Sequence, residues 1–210
     1  MKEKDLLKKY SRQAFELGLV WGTSGNMSIR IDTDSFLITA TGKNLEKIND
    51  KDLVFCKIKK NSAPERASME FMLHREIYRL REDVNAILHS QPPFSTLLAC
   101  AKDKKIRLEI IPEAIAYIKK IDVIPYHHPG SIELARKVRE KATRADVLLL
   151  QNHGVVSVGS SIEEVINKTV TLEFLCRLTV LSEAAHIELK PIPLKKVTGF
   201  LKLLETKKNV

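Results

Sequence analysis

The chain has 210 residues, of which 44% are hydrophobic and 29% charged, and its formal net charge is +9. This length buries a full core, so we expect residues 1–210 to form a single domain. No apolar run reaches the roughly 20 residues of a membrane helix, and the first ten residues lack the apolar centre of a signal peptide. We therefore expect a cytoplasmic protein with no membrane partner.

The positive charge is also typical of nucleic-acid-binding proteins. Here, however, the lysines are scattered in short groups such as 57–60 and 102–105, and no aromatic residues alternate with them to stack on bases. We predict no nucleic-acid partner and a positive field that attracts an anionic substrate. The three cysteines, Cys56, Cys100 and Cys176, form no C-x-x-C pair, so neither a disulfide nor a cysteine zinc site is expected.

Apolar periodicity and turn residues divide the chain into helices and strands. In chain order they predict a helix over 4–18, strands over 27–31, 36–39 and 53–58, a helix over 68–81, a strand over 84–89, a helix over 94–101, a strand over 123–126, a helix over 131–142, strands over 147–150 and 155–158, and a helix over 161–185. Gly18 is placed to end the first helix, Ser68 has an N-cap side chain, and Ser161 with Glu164 forms a capping-box pattern. Helices separated by antiparallel strand pairs predict a layered α/β sheet domain.

Two histidines, a glutamine and a glutamate are candidate ligands of one metal ion. His89 and Gln91 lie two residues apart, so on a strand their side chains share a face. His153, in a turn between two strands, adds a side chain from elsewhere in the sheet. Neutral imidazoles suit zinc, which in catalytic sites takes about three protein ligands and leaves one position open. Glu70, on the first turn of its predicted helix, would complete the metal shell or act as a base.

A second group of residues is typical of phosphate binding. Glycine permits close backbone approach, and small polar side chains donate hydrogen bonds to phosphate oxygens. The same residue types also populate ordinary turns, so the residues alone support both interpretations equally. The group comprises Gly25, Asn26, Thr41, Gly42 and Ser68.

Six fragments in one order resemble the class II aldolase/adducin family and span roughly residues 5–180. They are GTSGNMSIR (22–30), FLITATGKNLEKI (36–48), ASMEFMLHREIY (67–78), DVNAILHSQPPFSTLLA (83–99), IPYHHPGSIELA (124–135) and LLLQNHGVVSVG (148–159). The resemblance implies an α/β fold with a central, mostly antiparallel sheet layered with helices. It also implies a cyclic homotetramer with active sites at the subunit interfaces.

The resemblance carries roles over to individual residues. Glu70 corresponds to the family's metal-binding acid/base, His89 and Gln91 to its His-x-His pair, and His153 to its third histidine. The phosphate of the substrate would be bound by the five residues of the second group. The implied reaction is cleavage of a ketose 1-phosphate to dihydroxyacetone phosphate and an aldehyde, with zinc as the Lewis acid and Glu70 moving the proton.

Three positions depart from the family pattern. Gln91 offers an amide oxygen, a poor zinc ligand, where the family has an imidazole, so zinc should bind more weakly or not at all unless His127 or His128 replaces it. Met69 stands where the aldolase has a second phosphate-binding serine. The catalytic tyrosine that a neighbouring subunit supplies has no clear match, and the spacing supports neither Tyr117 nor Glu113.

The residues leave other functions open. Dehydration of a methylthioribulose-like phosphate and epimerisation of a pentulose phosphate begin on the same kind of site, so the ligands do not separate them from aldol cleavage. A non-catalytic binding protein, as in the adducin branch, is favoured by Gln91. The intact Glu70, His89 and His153 oppose it. Both interpretations stay open because a shared fold does not by itself fix function.

Overall fold

The computed structural model of the protein describes residues 2–102, 105–118 and 120–208. Its helices are α1 (Lys2–Glu16), α2 (Phe71–Leu80), α3 (Pro93–Cys100), α4 (Pro112–Tyr117), α5 (Ile132–Ala142), α6 (Ile162–Ala184) and α7 (Leu194–Lys208). Its strands are β1 (Asn26–Asp32), β2 (Ser35–Thr39), β3 (Leu53–Lys57), β4 (Ala86–Ser90), β5 (Ile121–Ile124), β6 (Val147–Leu150) and β7 (Gly154–Gly159). The helices of the described residues are all too short or too polar to span a bilayer.

The strands form a seven-stranded sheet in the order β3-β2-β1-β4-β7-β6-β5. Every neighbouring pair is antiparallel except β5 and β6, which run parallel and are connected through α5. The predicted α/β fold with a central, mostly antiparallel sheet is confirmed. Because parallel neighbours need a crossover, the one parallel pair coincides with a helix between its strands.

Alternate side chains of each strand enter the two cores on opposite faces of the sheet. On β2, Phe36 and Ile38 join the cluster beneath α2 and α5, whereas Leu37 joins the cluster beneath α1 and α6. On β6, Leu148 faces α2 and α5, and Leu149 faces α3, α4 and α6. Since both faces are covered by helices, the sheet is the middle layer of three, and its strands are apolar on both sides.

Pairing of β1, β4 and β7 brings distant parts of the chain to one end of the sheet. Asn26, the first residue of β1, is directly opposite His89 of β4. His89 is in turn opposite Val156 of β7, and His153 lies in the turn that precedes β7. The sheet register therefore places Asn26 beside His89 and brings the turn with His153 to the same end of the sheet.

Several predicted boundaries were wrong. Helix α2 begins at Phe71 rather than Ser68, because the Ser68 hydroxyl accepts a hydrogen bond from the Glu70 N–H and closes a turn before the helix. Strand β5 runs from Ile121 to Ile124, so it begins and ends two residues earlier than the predicted strand over 123–126. Helices α4 and α7 were not predicted at all. Pro112 at the first position of α4 was the available signal, since proline is favoured there.

Candidate functional site

Three metal-competent side chains converge from three different elements. Glu70 occupies the N-cap position of α2, His89 lies near the end of β4, and His153 lies in the turn between β6 and β7. One donor atom from each lies within 4.8 Å of the donor atoms of the other two. The convergence that the sequence predicted for these residues is therefore present in the fold.

The Nε2 atoms of the two histidines face each other. His89 donates from Nδ1 to the Val155 carbonyl oxygen at 2.9 Å, which leaves a lone pair on its Nε2. That Nε2 lies 3.2 Å from Nε2 of His153. Burial lowers the pKa of His89 to about 3 and also lowers the pKa of His153. Neutral imidazoles, one of them oriented by a backbone carbonyl, are what a divalent metal binds.

Glu70 is the acidic member of the cluster and is only 5% exposed. Burial raises its pKa to about 7, against the hydrogen bond that the Gly130 N–H donates to its Oε1 at 3.1 Å. The same Oε1 lies 3.8 Å from Nε2 of His153. A carboxyl group that titrates near neutrality is suited to both accept and return a proton.

The Gln91 side chain contacts the imidazole of His89, with which it would bind the same metal ion. Its Nε2 is 2.9 Å from Nε2 of His89, so the amide donates to the lone pair that a metal would take. Its Oε1 is buried and has no hydrogen-bond partner among the residues that the structure describes. A half-turn of the amide would set Oε1 against the His89 lone pair, and two acceptors tolerate that only with a cation between them. The donor set thus fits a divalent metal, with the amide oxygen as its weakest donor.

Gly154, the first residue of β7, allows β7 to pack closely against the end of β4. A Cβ atom at this position would lie 2.5 Å from the Ser90 carbonyl oxygen and 3.0 Å from Cγ of Gln91. A larger residue would therefore push apart the two strands that carry His89 and the turn with His153. The glycine of the Asn-His-Gly fragment is explained by this packing.

The phosphate-type residues lie at the same end of the sheet. Gly25 has a φ of +78°, and a Cβ there would lie 2.4 Å from Cγ1 of Val20 and 3.0 Å from the His89 carbonyl oxygen. Asn26 is opposite His89, as described above. Ser68 is buried and directly follows Ala67, which bridges Ala40 just after β2, and the Thr41 N–H donates to the Arg66 carbonyl oxygen at 3.1 Å. The start of β1, the end of β2 and the segment before α2 therefore lie at one end of the sheet.

Other residues considered from sequence lie elsewhere. His127 and His128 are outside the three-residue cluster, and His128 instead contacts the Tyr126 hydroxyl at 3.1 Å. Tyr117 of α4 lines a cavity of about 350 Å³ with Lys168 and residues of α7, away from Glu70. Met69, which is 65% exposed, packs on Gly130, where a Cβ would lie 2.7 Å from its Cγ.

The sequence reasoning missed a buried polar residue beside the site. His74, one helical turn after Glu70 on α2, is hydrogen-bonded to both Asn26 and Ser28. Its spacing of four from Glu70 was the signal that could have found it, because residues four apart share a helix face.

This fold and donor set define a class of α/β protein with a metal-competent centre beside a cluster of small polar residues. Comparison with known proteins is consistent with that definition. Residues 5–180 match the family model described as Class II Aldolase and Adducin N-terminal domain. The chain belongs to the class II aldolase/adducin family.

Three similar proteins illustrate the range of this family. An L-fuculose phosphate aldolase of Methanococcus maripaludis is 37% identical over 159 residues, covering 76% of this chain and 85% of the relative. A 3-oxo-tetronate 4-phosphate decarboxylase of Haemophilus influenzae is 30% identical over 180 residues, covering 84% and 86%. The crystal structure of YgbL from Klebsiella pneumoniae superposes with a TM-score of 0.87 at 25% identity, covering 95% and 97%. Both named enzymes are lyases.

Proposed function

We propose that this protein is a metal-dependent lyase that cleaves a carbon–carbon bond in a phosphorylated sugar. The first-choice reaction is retro-aldol cleavage of a ketose 1-phosphate to dihydroxyacetone phosphate and an aldehyde. The observation that carries the proposal is the convergence of Glu70, His89 and His153 beside Asn26. The similarity to a fuculose phosphate aldolase supports the choice of reaction.

Glu70, His89, His153 and Gln91 would hold the metal, for which zinc is the first candidate because two of the donors are neutral imidazoles. When bound, a divalent metal supplies Lewis-acid stabilisation of the negative charge that develops on the substrate oxygens. The burial of the site strengthens that stabilisation, because charges interact more strongly where water is excluded.

Glu70 is the proposed acid/base. In the retro-aldol direction the hydroxyl beside the breaking bond loses its proton, the bonding electrons move into the ketone, and an aldehyde leaves. The resulting enediolate then takes a proton on carbon to give dihydroxyacetone phosphate. With a pKa raised to about 7, the Glu70 carboxyl group can donate that proton and be protonated again at neutral pH.

The phosphate group of the substrate would be held by backbone N–H groups and by small side chains. The glycines allow close approach of the backbone, and Asn26, Thr41 and Ser68 carry polar side chains. The net charge of +9 assists the capture of an anionic substrate. The proposed set is Gly25, Asn26, Thr41, Gly42 and Ser68.

The test combines metal analysis with a cleavage assay. Protein purified without a chelator or a metal-affinity tag is analysed for bound metal, and ketose 1-phosphates are assayed for release of dihydroxyacetone phosphate. We expect His153→Ala to lose both metal and turnover, and Glu70→Gln to lose turnover by at least a hundredfold. Turnover that survives in His153→Ala would contradict a metal-dependent reaction.

Decarboxylation of a phosphorylated 3-oxo acid is a second candidate, favoured by the decarboxylase relative at 30% identity. It breaks a bond at the same carbon position relative to the carbonyl and leaves the same kind of enediolate. Release of carbon dioxide from 3-oxo-tetronate 4-phosphate, without cleavage of ketose 1-phosphates, would favour it over the aldolase.

A further inference from the structure

A chain of four buried polar side chains leads from the interior of the protein to the proposed phosphate pocket. The Tyr78 hydroxyl is 2.8 Å from Oγ of Ser28, and that Oγ is 2.7 Å from Nδ1 of His74. Nε2 of His74 is in turn 2.6 Å from Oδ1 of Asn26. Each of the four residues is at most 7% exposed. The protons of these groups must therefore be shared within the chain rather than with water.

A neutral imidazole carries one proton, on Nε2 or on Nδ1, and its position sets which of two directions the hydrogen bonds of the chain take from His74. In the first, Tyr78 donates to Ser28, Ser28 donates to Nδ1 of His74, and Nε2–H of His74 donates to the Asn26 oxygen. In the second, Nδ1–H of His74 donates to Ser28, and the Asn26 amide must turn so that its nitrogen donates to Nε2 of His74. Ser28 then either donates to Tyr78 or accepts from both His74 and Tyr78.

The hydroxyl protons of Ser28 and Tyr78 decide between the two directions. Within the described residues these hydroxyls form hydrogen bonds only with each other and with His74, so a proton on Nδ1 of His74 would leave one hydroxyl proton without an acceptor, with or without the Tyr78 hydroxyl. Arg30 lies over the Tyr78 ring at 4.7 Å, but a guanidinium is a donor and accepts nothing. A buried donor without a partner is costly, and the first direction avoids it. Burial also keeps the imidazole neutral, since it lowers the pKa of His74 to about 3.

In the first direction His74 holds the oxygen of the Asn26 amide and leaves its NH₂ group as the free end of the chain. Within the described residues the Asn26 side chain has His74 as its hydrogen-bond partner, so both amide hydrogens remain available. Two N–H donors suit a phosphate oxygen, whereas the reversed amide would offer an oxygen and repel it. The direction of a buried chain thus sets the polarity of the pocket.

We propose that His74 is a positioning residue that fixes the Asn26 amide with its NH₂ group toward the phosphate of the substrate. The identity of the ligand as a phosphate rests on the proposed function, but the direction of the hydrogen bonds does not. Because His74 and Glu70 lie on consecutive turns of α2, one helix orients both the phosphate pocket and the proposed acid/base.

The tautomer of His74 is the first test. Nitrogen-15 NMR of the histidine-labelled full chain distinguishes a protonated from an unprotonated ring nitrogen, and the His74→Gln spectrum assigns the signals. We expect Nε2 of His74 to carry the proton and Nδ1 to be unprotonated from pH 8 down to about pH 5. A proton on Nδ1 alone would overturn the proposal, whatever reaction the protein catalyses.

Binding of inorganic phosphate, measured by calorimetry on the full chain, is the second test. We expect His74→Phe to weaken binding about tenfold, the value of one lost hydrogen bond, and His74→Gln to retain most of the affinity because glutamine can still donate to Asn26. Tyr78→Phe is the matched control from the same buried chain: Ser28 still donates to His74, so phosphate affinity should change less than twofold.

Equal losses in Tyr78→Phe and His74→Phe would mean that general loosening of the core is responsible, and would overturn the positioning role. Failure of the unaltered protein to bind phosphate would overturn it as well. Absence of turnover on every sugar phosphate, with the tautomer and the phosphate binding as expected, would instead count against the proposed reaction alone. Should His74→Phe not fold, the tautomer measurement on the unaltered chain still decides.

Discussion

Gln91 is the residue at which, by the resemblance, this chain departs from the metal site expected of the family. Its amide donates to the Nε2 of His89 at 2.9 Å, which satisfies the imidazole in the absence of a metal. On the proposed function, metal binding would have to replace that hydrogen bond and turn the amide oxygen toward the ion. We therefore expect the glutamine to lower metal affinity in two ways, as a poor ligand and as a competing donor to His89.

Replacing Gln91 by histidine should raise zinc affinity by at least tenfold, since an imidazole is a stronger zinc ligand than an amide. Competition titrations with a chromogenic chelator would measure this, and Gln91→Asn, which keeps an amide but shortens its reach, is the matched control. Zinc binding that is no tighter in Gln91→His than in the unaltered chain would contradict the assignment of this position to the metal site.

His74 should make the stability of the metal-free protein depend on pH. Its pKa is lowered from an ordinary value of 6.5 to about 3 by burial, so below pH 6.5 the unfolded chain binds a proton that the folded chain does not. The free energy of unfolding should fall between pH 6.5 and pH 3 by up to about 1.4 kcal/mol per pH unit for this group.

Urea denaturation at several pH values, compared with His74→Gln, isolates this contribution. The raised pKa of Glu70 has the opposite effect on the slope in both proteins, so the comparison removes it. We expect the slope below pH 6.5 to be smaller in the variant. Equal slopes would show that His74 is already protonated in the folded protein.

Helix α2 and strands β4 and β7 are the elements that assemble the site. α2 contributes Glu70 and His74, β4 contributes His89, and the turn before β7 contributes His153. None of these elements contains the site alone, because their sequence positions are far apart. Their relative placement depends on the close contact of β7 with β4 at Gly154.

Gly154→Ala should therefore separate β4 from β7. The added Cβ would lie 2.5 Å from the Ser90 carbonyl oxygen, which is backbone and cannot move aside cheaply. We expect a loss of about 2 kcal/mol in stability and a lower metal affinity, measured by denaturation and by metal titration. Gly199→Ala in α7, where a Cβ would meet nothing within 4 Å, is the control and should be neutral or slightly stabilising. Unchanged metal affinity in Gly154→Ala would contradict the role of this contact.

At the scale of the whole molecule, α6 exposes an apolar stripe. Val170, Phe174 and Leu181 are 36%, 51% and 49% exposed, and their spacings of four and seven place them on one helix face. Leu97 of the adjacent α3 is 52% exposed. The resemblance to the family predicts a homotetramer, and this stripe is a surface that such an assembly would cover.

Phe174→Glu should lower the molar mass of the assembly, because a carboxylate cannot be buried in an apolar contact without large cost. Light scattering during size-exclusion chromatography would measure the mass. Leu203→Glu, an equally exposed position on α7, is the control and should leave it unchanged. A monomeric unaltered protein would contradict the predicted tetramer, and an unchanged mass in Phe174→Glu would place its interface elsewhere.

The seven strands form one continuous sheet with helices on both faces, which supports the proposal that residues 1–210 form a single domain. A surface groove of about 790 Å³ between α1 and α6 is lined by residues such as Lys8, Tyr10 and Glu163 rather than by the metal cluster.

The sequence by itself determined most elements and the chemical type of the site. Periodicity locates the strands that become β1, β2, β4, β6 and β7, because strands with two buried faces remain apolar over short runs that turn residues bound. The spacing of His89 and Gln91 correctly predicted that both side chains meet on one face, since side chains alternate along a strand. These are local properties, and local sequence carries them.

Tertiary structure alone decided what the residues around the site do. Burial raises the pKa of Glu70 to about 7. Partners from other elements fix which nitrogen of His89 faces the site and hold His74 against Asn26. Helix α4 was hidden for a related reason, because a six-residue helix is held by packing on α6 rather than by its own propensity. Desolvation and hydrogen-bond direction arise from the whole fold, and no window of sequence contains them.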